Sequence, residues 1–190
     1  LVLAAGVIVG GILGDTLPTD EAKGLYFVTV ALAGLFVMFA IKVANQWEKA
    51  VVLRFGKFRG LRGPGLFWIL PVVDIVSHLV DQRVRTTDVT AESALTRDTV
   101  PVNVDAIVFW LVWDAQKSIL EVQSFFDAIF LASQTALREA IGRHDLAEMI
   151  TEREKLGQEL QKILDDKTNP WGITVQSVEI RDVRIPAELE

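Results

Sequence analysis

From Gly24 to Ile41 the chain runs G-L-Y-F-V-T-V-A-L-A-G-L-F-V-M-F-A-I, eighteen residues without a charge. At 1.5 Å of rise per residue, about 20 such residues cross the roughly 30 Å hydrocarbon core of a bilayer. Val43 and Ala44 extend the run past Lys42, whose apolar stem lets its ammonium reach the headgroups. Residues 24–45 are therefore predicted to form a transmembrane helix. Tyr26 and Trp47 stand near its two ends, where amphipathic rings gather at a membrane surface. A helix apolar on every side would otherwise need a large protein core around it, and a chain of 190 residues has room for only one ordinary domain.

Residues 1–14, L-V-L-A-A-G-V-I-V-G-G-I-L-G, are also uncharged but make about two-thirds of a span. A cleaved signal peptide would carry a basic start and a small-x-small site, and neither is present. A second, truncated transmembrane helix is the expected reading. The chain opens on Leu1 and stops in a helix-like charged run at Glu190, so both natural ends are expected to be missing. Residues 15–23, D-T-L-P-T-D-E-A-K, make an acidic connector, whereas Lys42, Lys49, Arg54, Lys57, Arg59 and Arg62 follow the main run. The positive-inside rule then places the connector outside and the globular part in the cytoplasm, against the inner or plasma membrane.

With 51% hydrophobic and 23% charged residues, the chain is too apolar for an ordinary soluble domain and too charged for a polytopic one. Its formal net charge of −6 argues against nucleic acid, which selects a clustered cationic surplus. The absence of cysteine excludes a disulfide scaffold, a thiol nucleophile and Cys-ligated metal.

Beyond the apolar run, Ala50–Phe55 reads as a strand bounded by Gly56. Lys57–Trp68 (K-F-R-G-L-R-G-P-G-L-F-W) carries three glycines and a proline, which predicts loop or turn only. Basic residues beside Leu66, Phe67, Trp68 and Ile69 suit either a solvated turn leading into a strand or a loop in the headgroup layer, and on the second reading these four, with Trp47 and Tyr26, are candidate membrane contacts. Strand signals recur at 72–76, 79–89, 93–96 and 100–113, with a turn at Arg97-Asp98, giving an antiparallel meander. From Ile107 to Trp113 both faces are apolar, which predicts a sheet covered on each side or a partner contact.

The period then becomes helical. Ser124 and Asp127 open a helix whose apolar face runs through Phe126, Ile129, Phe130, Ser133, Leu137 and Ile141 to Gly142. Asp145…Glu148 and Thr151…Glu154 fit capping boxes of a short and a longer helix, the latter with a Leu156, Leu160, Ile163, Leu164 stripe. Asn169-Pro170 ends it. Residues 173–185 alternate as a closing strand, and the whole is an α+β domain spanning residues 46–190.

No constellation commits the chain to catalysis, metal or cofactor binding. His78 and His144 lack ligand-spaced partners, and no serine sits in G-x-S-x-G. Strict alternation along a strand puts Ser77 and His78 on opposite faces, where they could not pair. The signs along Glu179, Arg181, Asp182 and Arg184 suit salt bridges to a neighbouring subunit. The same alternation sets Glu179 and Arg181 on one face and Asp182 and Arg184 on the other.

Taken together, W-E-K-A-V-V-L-R-F-G-K-F-R (Trp47–Arg59), G-P-G-L-F-W-I-L-P-V-V-D (Gly63–Asp74), D-Q-R (Asp81–Arg83), L-T-R-D-T-V-P-V-N-V-D-A (Leu95–Ala106), A-L-R-E-A-I-G (Ala136–Gly142) and N-P-W-G-I-T-V-Q-S-V-E-I-R-D-V-R-I-P (Asn169–Pro186) resemble the stomatin/prohibitin/flotillin/HflK-C (SPFH, band-seven) proteins, and among them the prokaryotic stomatin-like slipins. The resemblance implies an SPFH domain leading into a C-terminal helical region, and a non-enzymatic, lipid-seated homo-oligomeric ring or cage. It further implies a scaffold that organises a membrane microdomain and regulates client membrane proteins, proteases among them, with an NfeD-like membrane partner. A monomeric adaptor gripping one client by the Ile107–Trp113 strand edge is the alternative, and a membrane hydrolase using Ser77 or His144 a remote one.

Overall fold

The computed structural model describes residues 20–185. The candidate span at residues 1–14, residues 15–19 of the connector and the stretch from Pro186 lie outside the described residues. Helix α1 (Asp20–Ala40) contains most of the apolar run. It stops at Ala40, short of the boundary expected at residue 45, because Ile41–Ala44 is a strand, β1. Among the described residues, no helix is long and apolar enough to cross a membrane.

All strand pairs are antiparallel and fall into three small sheets. β1 pairs with β4 (Gly65–Trp68) as a two-stranded ribbon. β2 (Glu48–Arg54) lies between β3 (Lys57–Arg62) and β5 (Asp74–Asp81). The segment read as loop alone therefore holds two strands. Gly60 fits inside β3 opposite Val52, next to a register shift, and only Gly63-Pro64 is left to turn the chain.

The third sheet has β7 (Pro101–Val112) between β6 (Arg85–Leu95) and β8 (Ile173–Arg184). Along β7 every second residue from Val102 to Val112 is buried, while Ile107, Phe109 and Leu111 on the other face stay partly exposed. Both edges of β7 are occupied by its neighbours, so it offers no free edge to a client. The adaptor reading loses the contact it was built on.

Helices α2 (Ala115–Leu120), α3 (Phe125–Arg143), α4 (Leu146–Thr151) and α5 (Arg153–Thr168) complete the domain. The Ser124 cap holds, its hydroxyl accepting the Asp127 N–H at 3.5 Å, as does the Asp145/Glu148 capping box. The Thr151 box does not form. Thr151 donates instead to the Ala147 carbonyl at 2.7 Å, and Glu152 stands at the start of α5. α2, capped by Asp114 on the Gln116 and Lys117 N–H groups, was not expected from periodicity.

The main core lies between the inner face of β6–β7–β8 and the buried stripes of α3 and α5, with Trp110 fully buried near its centre. Full burial of a large apolar side chain stabilises a fold by about 1.5–3 kcal/mol, and nine of bulk from Leu upward sit here with under 2% exposure. Trp110 meets Phe125 and Phe126 edge-on, at ring separations of 6.0 and 5.5 Å, and donates its indole N–H to Thr87 Oγ1 at 2.9 Å. Two glycines permit close approaches. A Cβ on Gly157 would stand 2.5 Å from the Val178 carbonyl oxygen, and one on Gly172, at φ +73°, 2.5 Å from that of Asp114.

Candidate membrane-contact face

Four apolar side chains share one face of the β1–β4 ribbon. Ile41 lies opposite Trp68 and Val43 opposite Leu66, and directly paired residues on antiparallel strands point to the same side. Leu66 is 63% exposed and Trp68 59%. The intervening Phe67 turns the other way and is buried with Ala44, Ala50, Val76 and Ile69 in a small second core. Of the four residues expected to touch lipid here, Leu66 and Trp68 are exposed. Phe67 and Ile69 are structural, because β4 is a strand and its side chains alternate.

The ribbon is fastened directly to α1, for the Ile69 N–H donates to the Ala40 carbonyl at 2.9 Å. The alternation continues past β4 into an exposed Leu70 and then Val72, 96% exposed with φ +80°. Beside it the Phe55 N–H donates to the Val73 carbonyl at 3.2 Å, and the Phe55 ring is 80% exposed at φ +50°. Positive φ is costly for a bulky or β-branched side chain and persists only where surrounding bonds enforce it.

Those bonds converge on Asp74, whose side chain has no exposed surface. Its carboxylate accepts Arg54 Nε at 2.7 Å and Arg54 Nη2 at 3.1 Å, Arg59 Nη1 at 2.7 Å and the Leu70 N–H at 3.1 Å. The Arg54 hydrogen bonds outweigh burial and hold this carboxyl well below the usual carboxylate range. The loop is thus pinned to β2 and β3, and its apolar tips are presented rather than left free. Phe55, Leu70 and Val72 were not singled out in the sequence, and Ile41 and Val43 were expected in a helix rather than a strand. Continuing the Leu66, Trp68 alternation past Ile69 would have found Leu70 and Val72.

Trp47 does not join this face. It follows the end of β1 remote from α1, its carbonyl accepting the Gln82 N–H at 3.0 Å and its ring lying 4.8 Å below the Arg83 guanidinium. Tyr26 falls within α1, with its side chain outside the described residues.

The subunit-interface candidates sit near the end of β8. A register shift there leaves Arg181 unpaired opposite β7, while Glu179 faces Ile107 and Asp182 faces Asp105. Glu179 and Asp182 therefore share the outer face of the sheet instead of opposing each other. Arg184 is engaged within the chain, its Nε on Asp182 at 2.7 Å and its Nη2 3.5 Å from Asp105.

A second register shift overturns the reading of Ser77. β2 pairs Val51 with His78 and Val52 with Val76, so Ser77 is the extra residue of a bulge. Its hydroxyl meets His78 Nδ1 at 2.8 Å. The pair stands on an exposed strand, and among the described residues no carboxylate orients the ring. His144 Nε2 lies elsewhere, 3.2 Å from Glu159.

Residues 42–190 match the SPFH domain / Band 7 family. A stomatin homolog of Pyrococcus abyssi is 41% identical over 177 residues, which cover 92% of this chain and 64% of that protein. Stomatin of Mus musculus is 34% identical over 171 residues, 89% of this chain and 60% of that one. Mechanosensory protein 2 of Caenorhabditis elegans is 37% identical over 168 residues, 87% and 34% respectively. The chain spans less than two thirds of the length of each of these relatives. With its antiparallel sheets, packed helices and a match covering most of its length, the chain belongs to the SPFH domain / Band 7 family.

Proposed function

We propose that this chain is a subunit of a membrane-seated, non-enzymatic scaffold. One observation carries the membrane part: Trp68, Leu66, Leu70, Val72 and Phe55 are all exposed around the point where α1 joins the domain. α1 is itself apolar on every side, with Leu25, Val28, Leu32 and Phe36 exposed on one side and Phe27 and Met38 on the other. Such a surface is stable in lipid and a liability in water. In this reading α1 enters the bilayer, the ribbon face and loop tips rest in the interfacial layer, and Lys42, Lys57 and Arg62 meet the headgroups on the cytoplasmic side of the plasma membrane.

The assembly part is a ring or cage of identical subunits, joined in part through the exposed Glu179 and Arg181 of β8, with Asp182 and Arg184 beside them. The resemblance to membrane-associated stomatins supports the scaffold reading, and holding client membrane proteins and pairing with an NfeD-like protein are part of the same proposal.

The test is a variant of the full chain keeping Trp68 as its single tryptophan, reconstituted into vesicles with brominated acyl chains. Strong quenching of Trp68 is expected. Quenching by aqueous iodide with none by bromolipid refutes the seating. Light scattering of the detergent-extracted protein, corrected for detergent, tests assembly: a large discrete mass is expected, and a monomer or dimer refutes the ring.

A further inference from the structure

The two edges of the β6–β7–β8 sheet are treated differently. α5 covers the β8 edge with three side chains: Gln161 Nε2 donates to the Val175 carbonyl at 3.2 Å, Asp165 accepts the Val175 N–H at 3.1 Å, and Arg153 Nη1 reaches the Arg181 carbonyl at 3.5 Å. On the β6 edge, among the described residues, Gln134 alone reaches a backbone group, the Thr90 carbonyl at a long 3.4 Å. That bond shows which way Thr90 points. Every second residue of an antiparallel strand directs its backbone groups to the same side, so Asp88 also offers its N–H and C=O outward. An edge left open in this way is a template for another extended chain.

Beside this edge runs a groove of about 310 Å³ lined by Asp88, Thr90, Phe130, Gln134 and Arg138. Its helical wall is Phe130, Gln134 and Arg138, a row at four-residue spacing on α3 that Phe126 continues beyond the groove. The Phe126 and Phe130 rings are 46% and 39% exposed, large for aromatic residues next to a core. Two contacts set the row parallel to the strand, Arg85 over the Phe126 ring at 4.8 Å and Gln134 on Thr90. Arg85 is already engaged, its Nη2 3.8 Å from Asp81, although its Nε is buried without a hydrogen-bond partner. Arg138 makes no ion pair or hydrogen bond among the described residues. Asp88, level with Phe130, is the one acid in the lining.

We propose that this groove binds an extended peptide segment of a partner protein, added as a strand to β6, with an apolar side chain on Phe130 and a carboxylate on Arg138. The geometry sets the spacing. Phe130 and Arg138 are eight helical residues apart, about 12 Å. Four residues of strand cover about 13 Å, and an even offset keeps both side chains on the face towards α3. The recognised pattern is therefore an apolar residue and an acid four positions apart, with the residue midway between them facing Gln134. Backbone pairing supplies affinity, and the two side-chain subsites supply specificity.

The probe is a fluorescein-labelled Thr/Val heptapeptide, blocked at its carboxyl end, carrying Phe and Asp four positions apart; anisotropy is read against the full chain in detergent. We expect it to bind at least tenfold tighter than a heptapeptide with Phe and Asp three apart, whose side chains fall on opposite faces. Arg138→Glu should cost at least tenfold. The same variant should regain binding to a peptide carrying Lys in place of Asp, which a merely structural role for this exposed residue would not produce. Circular dichroism of Arg138→Glu verifies folding. Equal affinity for the two spacings, no measurable binding of either, or no charge-reversal rescue overturns the proposal.

Discussion

Trp68 stands directly across from Ile41 on the two-stranded ribbon, and the next residue back, Phe67, is buried on the other side of the same strand. One position thus separates an exposed residue proposed to face lipid from one that holds the domain together. We expect Leu66→Asp with Trp68→Asp to reduce bromolipid quenching of a dye placed at Val43→Cys at least tenfold, while leaving the chain anchored and the circular dichroism spectrum unchanged. Phe67→Ala should lower unfolding stability by about 3 kcal/mol, as loss of a buried aromatic ring does. Denaturant titration and the lipid quenching separate the two, and an exchange of the two phenotypes would reverse the assignment of faces.

Asp74 makes the fold sensitive to acid in a defined direction. Its carboxyl is lowered in the folded chain, chiefly by the Arg54 hydrogen bonds. A group lowered on folding supports the fold fully above its unfolded value, near 4 for an aspartate. The support is lost as pH falls below that point towards the folded value. We expect the melting temperature of the native chain to fall steeply below about pH 4. Asp74→Asn should melt lower at pH 7 and respond less to acid. Parallel profiles for the two proteins would assign the acid sensitivity to other carboxylates.

Replacing a glycine by alanine inside a helix ordinarily stabilises by up to about 1 kcal/mol. Gly157 of α5 should behave in the opposite sense, because the new Cβ would meet the Val178 carbonyl oxygen at 2.5 Å. Pushing α5 off β8 should cost about 1–3 kcal/mol, typical of overpacking. Thermal melts of Gly157→Ala read the sign directly.

The Ser77–His78 contact invites a chemical test. A nucleophilic serine needs a base oriented by a third group and donors for an oxyanion, and among the described residues the bulge supplies only the base. Fluorophosphonate labelling of the full chain should leave Ser77 unmodified. Stoichiometric labelling that is lost in Ser77→Ala would restore the hydrolase reading.

The sequence announced most of this architecture through period. The alternation from Val100, the Ser124 and Asp145 caps and the Leu156–Leu164 stripe correspond to elements with the expected faces, whereas Phe126 and Phe130, expected on the buried face of α3, are 46% and 39% exposed. What period could not show were single-residue shifts. Ser77 and Arg181 are each an extra residue in a strand, and each turns its neighbours to the other face. Period-two reading has no term for such an insertion. β1 was hidden because Ile41–Ala44 is as apolar as the helix before it, and only pairing with β4 makes it a strand. Within the contact face, Leu66 and Trp68 were readable from composition. Phe55 and Val72 depend on turns held by Asp74, a residue twenty positions from its partner Arg54.

No linker separates α1 from the domain: the helix ends at Ala40, β1 begins at Ile41, and Ile69 clasps the last carbonyl. A flexible tether would let the domain wander whatever the helix did. Here the two move as an arm and its handle. On the proposed seating, a tilt of α1 in the lipid would carry the domain through the same angle. In a closed array of such subunits every domain would swing together, and the width of the array at its far rim would follow the lean of the helices at its base.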